Sequence, residues 1–172
     1  MAYSYSNIYR LPVTCLRFFT VYGPFDRPDM ALQKFTRAIL ADEPIKVFNY
    51  GKHRRDFTYI DDIVQGIISS SQTIPKGDDD WDGLNPDPSS SRAPWRLFNI
   101  GNSRPEQLMN YIQTLEEKLN LKAKTKMLPM QPGDVKDTYA DTGLLEEATN
   151  YKSKTNISTG IGNFVEWYLD YY

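Results

Sequence analysis

The chain has 172 residues, 40% of them apolar and 13% aromatic, which is too much buriable surface for a disordered polypeptide and enough for one ordinary domain. Twenty basic residues against 22 acidic ones leave a net charge of −2, which argues against a general nucleic-acid binder. A lone Cys15 excludes an internal disulfide, Met1 to Tyr5 lack the pattern of a signal peptide, and no apolar run reaches about 18 residues, so a soluble cytoplasmic protein is expected.

Residues 1–10 read as the tail of a helix, stopped by Pro12. Val13 to Phe19 is a short, β-rich, nearly continuous apolar run, as expected of a strand buried on both faces. Tyr22-Gly23-Pro24 ends it. Asp29 is placed to cap a helix over Met30 to Ala41, with Leu32, Phe35, Ile39 and Leu40 on its apolar face. Strands are expected at Ile45 to Asn49 and at Asp56 to Ile60, the second feeding a helix at Asp61-Asp62. A polar excursion follows from Pro75 to Pro94. Leu97 to Ile100 reads as a strand. Ser103 is then placed to cap a helix with Pro105 in its first turn, its apolar face formed by Leu108, Met109, Ile112, Leu115 and Leu119. Lys124 to Leu128 fits a further strand. The last helix starts near Ser158-Thr159, with Ile161, Phe164, Val165, Tyr168, Leu169 and Tyr172 at helical spacing. Alternating strands and helices place the chain in the α/β class.

Several residue groups carry candidate chemistry. Asp78-x-Asp80-x-Asp82-Gly83 copies the start of a calcium loop, but Pro86 and Ser89 stand where further ligands belong, so a solvated loop is expected and no metal. Lys52 and His53 read as an exposed turn. Arg55 shares a strand face with Phe57 and Tyr59, which suits a bidentate phosphate grip or an ordinary ion pair. A single imidazole excludes a Ser-His-Asp triad. Asp61-Asp62 fits helix capping better than an acid/base pair, because neighbours on a helix diverge by about 100°. Thr20, Tyr22 and Arg27 follow a strand end, where ligands bind in open parallel sheets. Gln131-Pro132-Gly133-Asp134 reads, unaided, as a β-turn.

Taken in order, Leu16 to Pro24 (LRFFTVYGP), Arg27 to Ala31 (RPDMA), Asn49-Tyr50-Gly51, Arg55 to Asp62 (RDFTYIDD), Phe98 to Asn102 (FNIGN), and Met130 to Val135 (MQPGDV) with Tyr139-Ala140-Asp141 resemble one family. It is the NAD-dependent nucleotide-sugar epimerases of the extended short-chain dehydrogenase type. The resemblance is nearest to the UDP-glucuronate 4-epimerase subgroup of capsule biosynthesis. It covers essentially the whole chain, as the C-terminal half of such an enzyme.

The resemblance implies an α/β fold with one or two Rossmann-sheet strands and a small mixed α/β substrate domain. Residues 1–28 would end the NAD-binding portion. Residues 29–172 would be mainly the nucleotide-sugar domain, with the polar loop at 75–94 and some elements packing back on the Rossmann sheet. It also implies interconversion of UDP-glucuronate and UDP-galacturonate, by oxidation at C4, rotation of the 4-keto sugar and re-reduction. NAD would be the cofactor and a UDP-sugar the partner, with neither nucleic acid nor membrane.

By position, Phe19 would touch the nicotinamide end of NAD and Thr20 the sugar. Arg27 would face the sugar carboxylate or the diphosphate. Met30, Ala31 and Phe48 would line the nucleotide pocket, Arg55 would hold the diphosphate, and Gln131 and Asp134 would contact the nucleotide end. The chain departs from the family pattern in one large respect. None of its tyrosines has Lys four residues on, and no glycines have the dinucleotide-binding spacing. The catalytic pair would lie upstream of Met1, and the chain alone is expected to be inactive. A stand-alone UDP-sugar-binding module, a pseudoenzyme and one chain of a split epimerase are the alternatives. Because the strand from Val13 lacks sheet neighbours in this sequence, an exposed apolar edge, and with it self-association, is expected.

Overall fold

A computed structural model describes all residues, 1–172. The chain begins with helix α1 (Ala2–Tyr9), which ends at Arg10 in a left-handed turn just before Pro12. Strand β1 (Val13–Phe18) then runs into β2 (Thr20–Tyr22) after a break of one residue, Phe19. That break moves the chain from one sheet to another. β1 lies parallel to β6 (Trp95–Ile100), whereas β2 lies parallel to β5 (Phe57–Tyr59). The Phe19 amide still donates to the Ile100 carbonyl at 3.1 Å, and the next amide, of Thr20, donates to Asp56 at 3.2 Å.

Two further strand pairs complete the β structure. β3 (Ile45–Val47) is parallel to β8 (Thr125–Met127), and β4 (Arg54–Arg55) is antiparallel to β7 (Glu106–Gln107). Around these pack α2 (Ala31–Leu40), α3 (Ile60–Gln72), α4 (Leu108–Leu119), α5 (Gly143–Thr149) and α6 (Ile157–Tyr171). The architecture is mixed α/β with mostly parallel pairs, as expected.

Two cores result. The larger joins 15 buried residues, among them Leu32, Phe35 and Ile39 of α2, Tyr111, Ile112 and Leu115 of α4, and Ile161, Phe164 and Val165 of α6. Phe57 stacks on Tyr111 at a centroid distance of 4.1 Å, and Tyr22 meets both edge-on. α6 approaches so closely that a Cβ on Gly160 would overlap the Tyr22 hydroxyl. The smaller core holds four buried residues, Ile63, Phe98, Ile100 and Leu145.

Several local expectations need correction. β1 is not buried on both faces: Val13 to Leu16 are half-buried, and Arg17 and Phe18 are exposed, because β6 is its one sheet neighbour. Asp29 does not cap α2; the capping position is Met30, and Asp29 pairs with Arg27 instead. Leu40 lies outside the core. Ser103 does not cap α4, which starts only at Leu108 because Glu106 and Gln107 are claimed by β4. Its hydroxyl donates to the Ala140 carbonyl at 2.7 Å. The Asp61-Asp62 pair lies in the first turn of α3, not at its cap. The Asp62 carboxylate accepts the Lys154 and Thr155 amides at 3.3 and 2.9 Å, tying down the approach to α6. Asn156 caps α6 through the Thr159 amide at 2.9 Å. In the excursion from Pro75, the Asp78 and Asp82 carboxylates accept the backbone amides of Asp80 and Leu84.

Candidate functional site

Phe19 and Thr20 come to the surface where β1 and β6 end, at the carboxyl end of a parallel pair. A cleft of about 920 Å³ opens there. Its walls include Phe19, Thr20, Arg27 and Met30, together with Arg17, Asp26, Asn99 and Thr138. Thr20 also borders a smaller cavity of about 200 Å³, shared with Ala31, Phe48, His53, Arg55 and Asp134. Ala31 and Phe48 in turn border a hollow of about 690 Å³ that contains Gln131. The residues expected from the resemblance to bind ligand thus line three adjoining hollows, joined first by Thr20 and then by Ala31 with Phe48, whereas Tyr22, also expected at the ligand end of the strand, is buried in the larger core instead. Arg17, Asn99, Thr138 and Asp26 were not singled out. The only signal for Arg17 was a cation interrupting an apolar strand.

The floor of the series is built on Asp56. This residue is fully buried, and its Oδ1 accepts the Asn102 amide at 2.8 Å while its Oδ2 accepts the Ala140 amide at 3.0 Å. Its own amide donates to the Thr138 hydroxyl at 3.0 Å. One carboxylate therefore fixes three connections: between β4 and β5, after β6, and before α5. Gly101 fits beneath Ala140 because it has no Cβ to collide there.

Above that floor, Arg55 reaches across to the 131–137 segment. Its Nη2 donates to Asp134 Oδ1 at 2.9 Å, and its Nη1 donates to the carbonyls of Arg54 and Lys136. His53 overturns the expectation of an exposed turn. It is only 4% exposed, because β4 pairs with β7 and the Leu108 amide donates to its carbonyl, seating the residue under α4. Its Nε2 lies 3.1 Å from Asp134 Oδ2.

At the other end of the series, Gly23 and Phe25 have φ of 142° and 60°. Glycine tolerates such values, whereas a bulky residue is strained there. The exposed Phe25 ring packs on Trp167 at 5.0 Å and on Tyr171 at 6.0 Å, holding the turn against the end of α6. The next two residues enter the cleft. Burial raises the Asp26 carboxyl pKa above its ordinary value, partly offset by the Arg27 amide. Arg27 remains 73% exposed at its side chain, with Nη2 at 3.3 Å from Asp29 Oδ2. This arrangement offers one exposed guanidinium, paired loosely with Asp29, one half-buried guanidinium and an aromatic wall, a set suited to an elongated anion. No helix is long and apolar enough to cross a membrane.

Comparison with known proteins gives this geometry a context. The model of a family described as the NAD dependent epimerase/dehydratase family matches residues 1–80. An uncharacterized 37.6 kDa protein of Escherichia coli O111:H- is 54% identical over 172 residues, all of this chain and 52% of that protein. A probable UDP-glucuronate 4-epimerase of Rhizobium meliloti is 44% identical, over 98% of this chain and 50% of its own length. The structure of UDP-glucuronic acid 4-epimerase from Bacillus cereus, in complex with UDP-glucuronic acid and NAD, superimposes with a TM-score of 0.82 at 28% identity. That match covers 99% of this chain and 49% of the other. The chain thus spans about half the length of the curated relatives it matches. By sequence and by fold alike, the chain is similar to NAD-dependent epimerases over about half of their length, and the family model matches its first 80 residues.

Proposed function

We propose that this chain forms the nucleotide-sugar-binding part of an NAD-dependent 4-epimerase acting on UDP-glucuronate and UDP-galacturonate. One observation carries the reading. The residues expected to bind the sugar, the diphosphate and the nucleotide line adjoining hollows, the first two sharing Thr20 and the last two sharing Ala31 and Phe48. The similar Bacillus cereus enzyme, crystallised with UDP-glucuronic acid and NAD, supports the same ligand here.

In this reading Arg55 and Asp134 hold the diphosphate and nucleotide end, with Ala31, Phe48, Met30 and Gln131 around the base. Thr20 and Arg27 take the sugar. Its carboxylate or the diphosphate meets Arg27, which has no competing partner closer than Asp29. The residues present fit one end of NAD only. Phe19, at the ends of the parallel strands, suits the nicotinamide side, while no glycine-rich turn is available for the pyrophosphate. When bound, NAD supplies the hydride acceptor. The chain's own residues orient the sugar and shield its C4 from water. No Tyr-x-x-x-Lys pair occurs among these residues, so the proton steps need groups from elsewhere, and these 172 residues alone turn nothing over.

The domain division follows the two cores in this reading. The β1–β6 layer with α3 and α5 belongs to the cofactor side, and the larger core belongs to the nucleotide sugar. The setting is cytoplasmic. The unpaired edge of β1 favours a second reading, in which a separate Rossmann polypeptide, or a second copy of this chain, covers that edge.

The test is titration calorimetry of the 172-residue protein with UDP-glucuronate and, separately, with NAD. UDP-glucuronate binds without NAD if the reading holds. Absence of UDP-glucuronate binding overturns it for this chain.

A further inference from the structure

The proposed reading leaves one buried polar side chain without a task. His53, the one histidine, lies almost wholly out of solvent. Its Nε2 is within ion-pair distance of Asp134 Oδ2, at 3.1 Å, but is not aligned as a hydrogen bond, and its Nδ1 has no partner. Buried nitrogens are rarely left short of partners, and exceptions call for an explanation. The ring lines the small cavity alongside Arg55 and Asp134. The Asp134 carboxylate therefore hangs between a guanidinium at Oδ1, 2.9 Å away, and an imidazole at Oδ2. Oδ1 also accepts the Val135 amide at 2.8 Å.

We propose, on the basis of the nucleotide-sugar reading above, that His53 is a positioning residue that acts through Asp134 on Arg55. An Asp–Arg pair left to itself is a poor anion receptor, because an incoming phosphate must compete with the carboxylate for the same guanidinium. The imidazole at the far oxygen keeps the carboxylate against the cavity wall. Arg55 then retains an edge on the cavity that a diphosphate reaches without displacing Asp134. At 3.1 Å a proton on Nε2 attracts Oδ2 electrostatically even without hydrogen-bond alignment, so a neutral ring is sufficient.

Two variants separate this role from simple space filling. His53→Leu keeps the bulk and removes the donor, and His53→Gln restores a donor. Calorimetry with UDP should show about tenfold weaker binding for His53→Leu and recovery to within about threefold for His53→Gln. Adding His53→Leu to Asp134→Asn should bring no further loss, since both act on one contact. Equal affinity in wild type and both single variants overturns the proposal, and so do losses that simply add. If the wild-type protein binds neither UDP nor UDP-glucuronate, the nucleotide-sugar reading fails by itself. The positioning contact is then read without ligand, by hydrogen exchange at the Asp134 amide, bonded to Gln131, and the Arg54 amide, bonded to Lys136. Both should exchange several-fold faster in His53→Leu than in His53→Gln, and equal rates overturn the proposal.

Discussion

The two cores stand on opposite sides of the candidate site and are built differently. The larger fills the space between α2, α4 and α6 with 15 buried residues, among them a cluster of aromatics packed stacked and edge-on. The smaller is one parallel strand pair, β1 and β6, backed by α3 and α5 through four buried side chains. The end of the hollows lined by Arg55, Phe48 and Gln131 therefore rests on the larger core. The end at Phe19 rests on a thin layer with an open strand edge and the exposed side chains of Val64, Ile67 and Ile68 of α3 nearby. A site can thus rest on a thick core at one end and on a thin, open-edged layer at the other, within one short chain.

Asp56 is where the two lobes are tied, so its loss should have the largest effect. Asp56→Ala strands the half-buried Asn102 and buried Ala140 amides and should cost about 4 kcal/mol in urea denaturation. A loss below about 1 kcal/mol would mean the lobes are joined by packing alone. Truncations within each core sharpen the contrast. Leu115→Ala in the larger core should cost about 3 kcal/mol and lower global stability. Leu145→Ala in the smaller should cost less, about 2 kcal/mol, and should speed hydrogen exchange in β6 while α4 stays protected. Identical global losses would erase the distinction between the cores.

On the ligand side, Arg55→Lys should weaken UDP binding nearly as much as Arg55→Ala, about tenfold, because a point charge cannot replace the planar fork. Full retention by the lysine variant would reduce Arg55 to a generic positive charge. The smallest effect concerns Asp26. Burial raises its pKa in the folded state, so its charge opposes folding above that pKa, and the penalty disappears once pH falls below the unfolded value. Asp26→Asn should raise the melting temperature slightly at neutral pH and make no difference in acid. A gain that persists in acid would point to a cause other than charge.

Much of this was legible in the sequence, and the failures share a cause. Helices with strong 3.6-residue patterns, such as α2, α4 and α6, appear within a few residues of their expected places, and β1 and β8 do as well. The ordered motifs from Leu16 to Asp141 indicated which residues gather, and the hollows gather them. What stayed hidden depends on partners distant in sequence. His53 is buried because β4 meets β7, more than 50 residues on, and nothing local to Lys52-His53-Arg54 signals that pairing. Asp56 reads as one acid in a strand, yet its partners are Asn102 and Ala140. Helix α5 is seven residues long, too short for periodicity to reveal.

The strained turn at Phe25 bears on how the protein is handled at the bench. Its ring is held by Trp167 and Tyr171, and Tyr171 and Tyr172 meet edge-on at 5.0 Å. The last two residues thus belong to the same aromatic cluster as the turn that carries Asp26 and Arg27. An affinity tag or fusion partner joined directly after Tyr172 would pull on that cluster, and a binding measurement made on such a fusion would report the tag as much as the site.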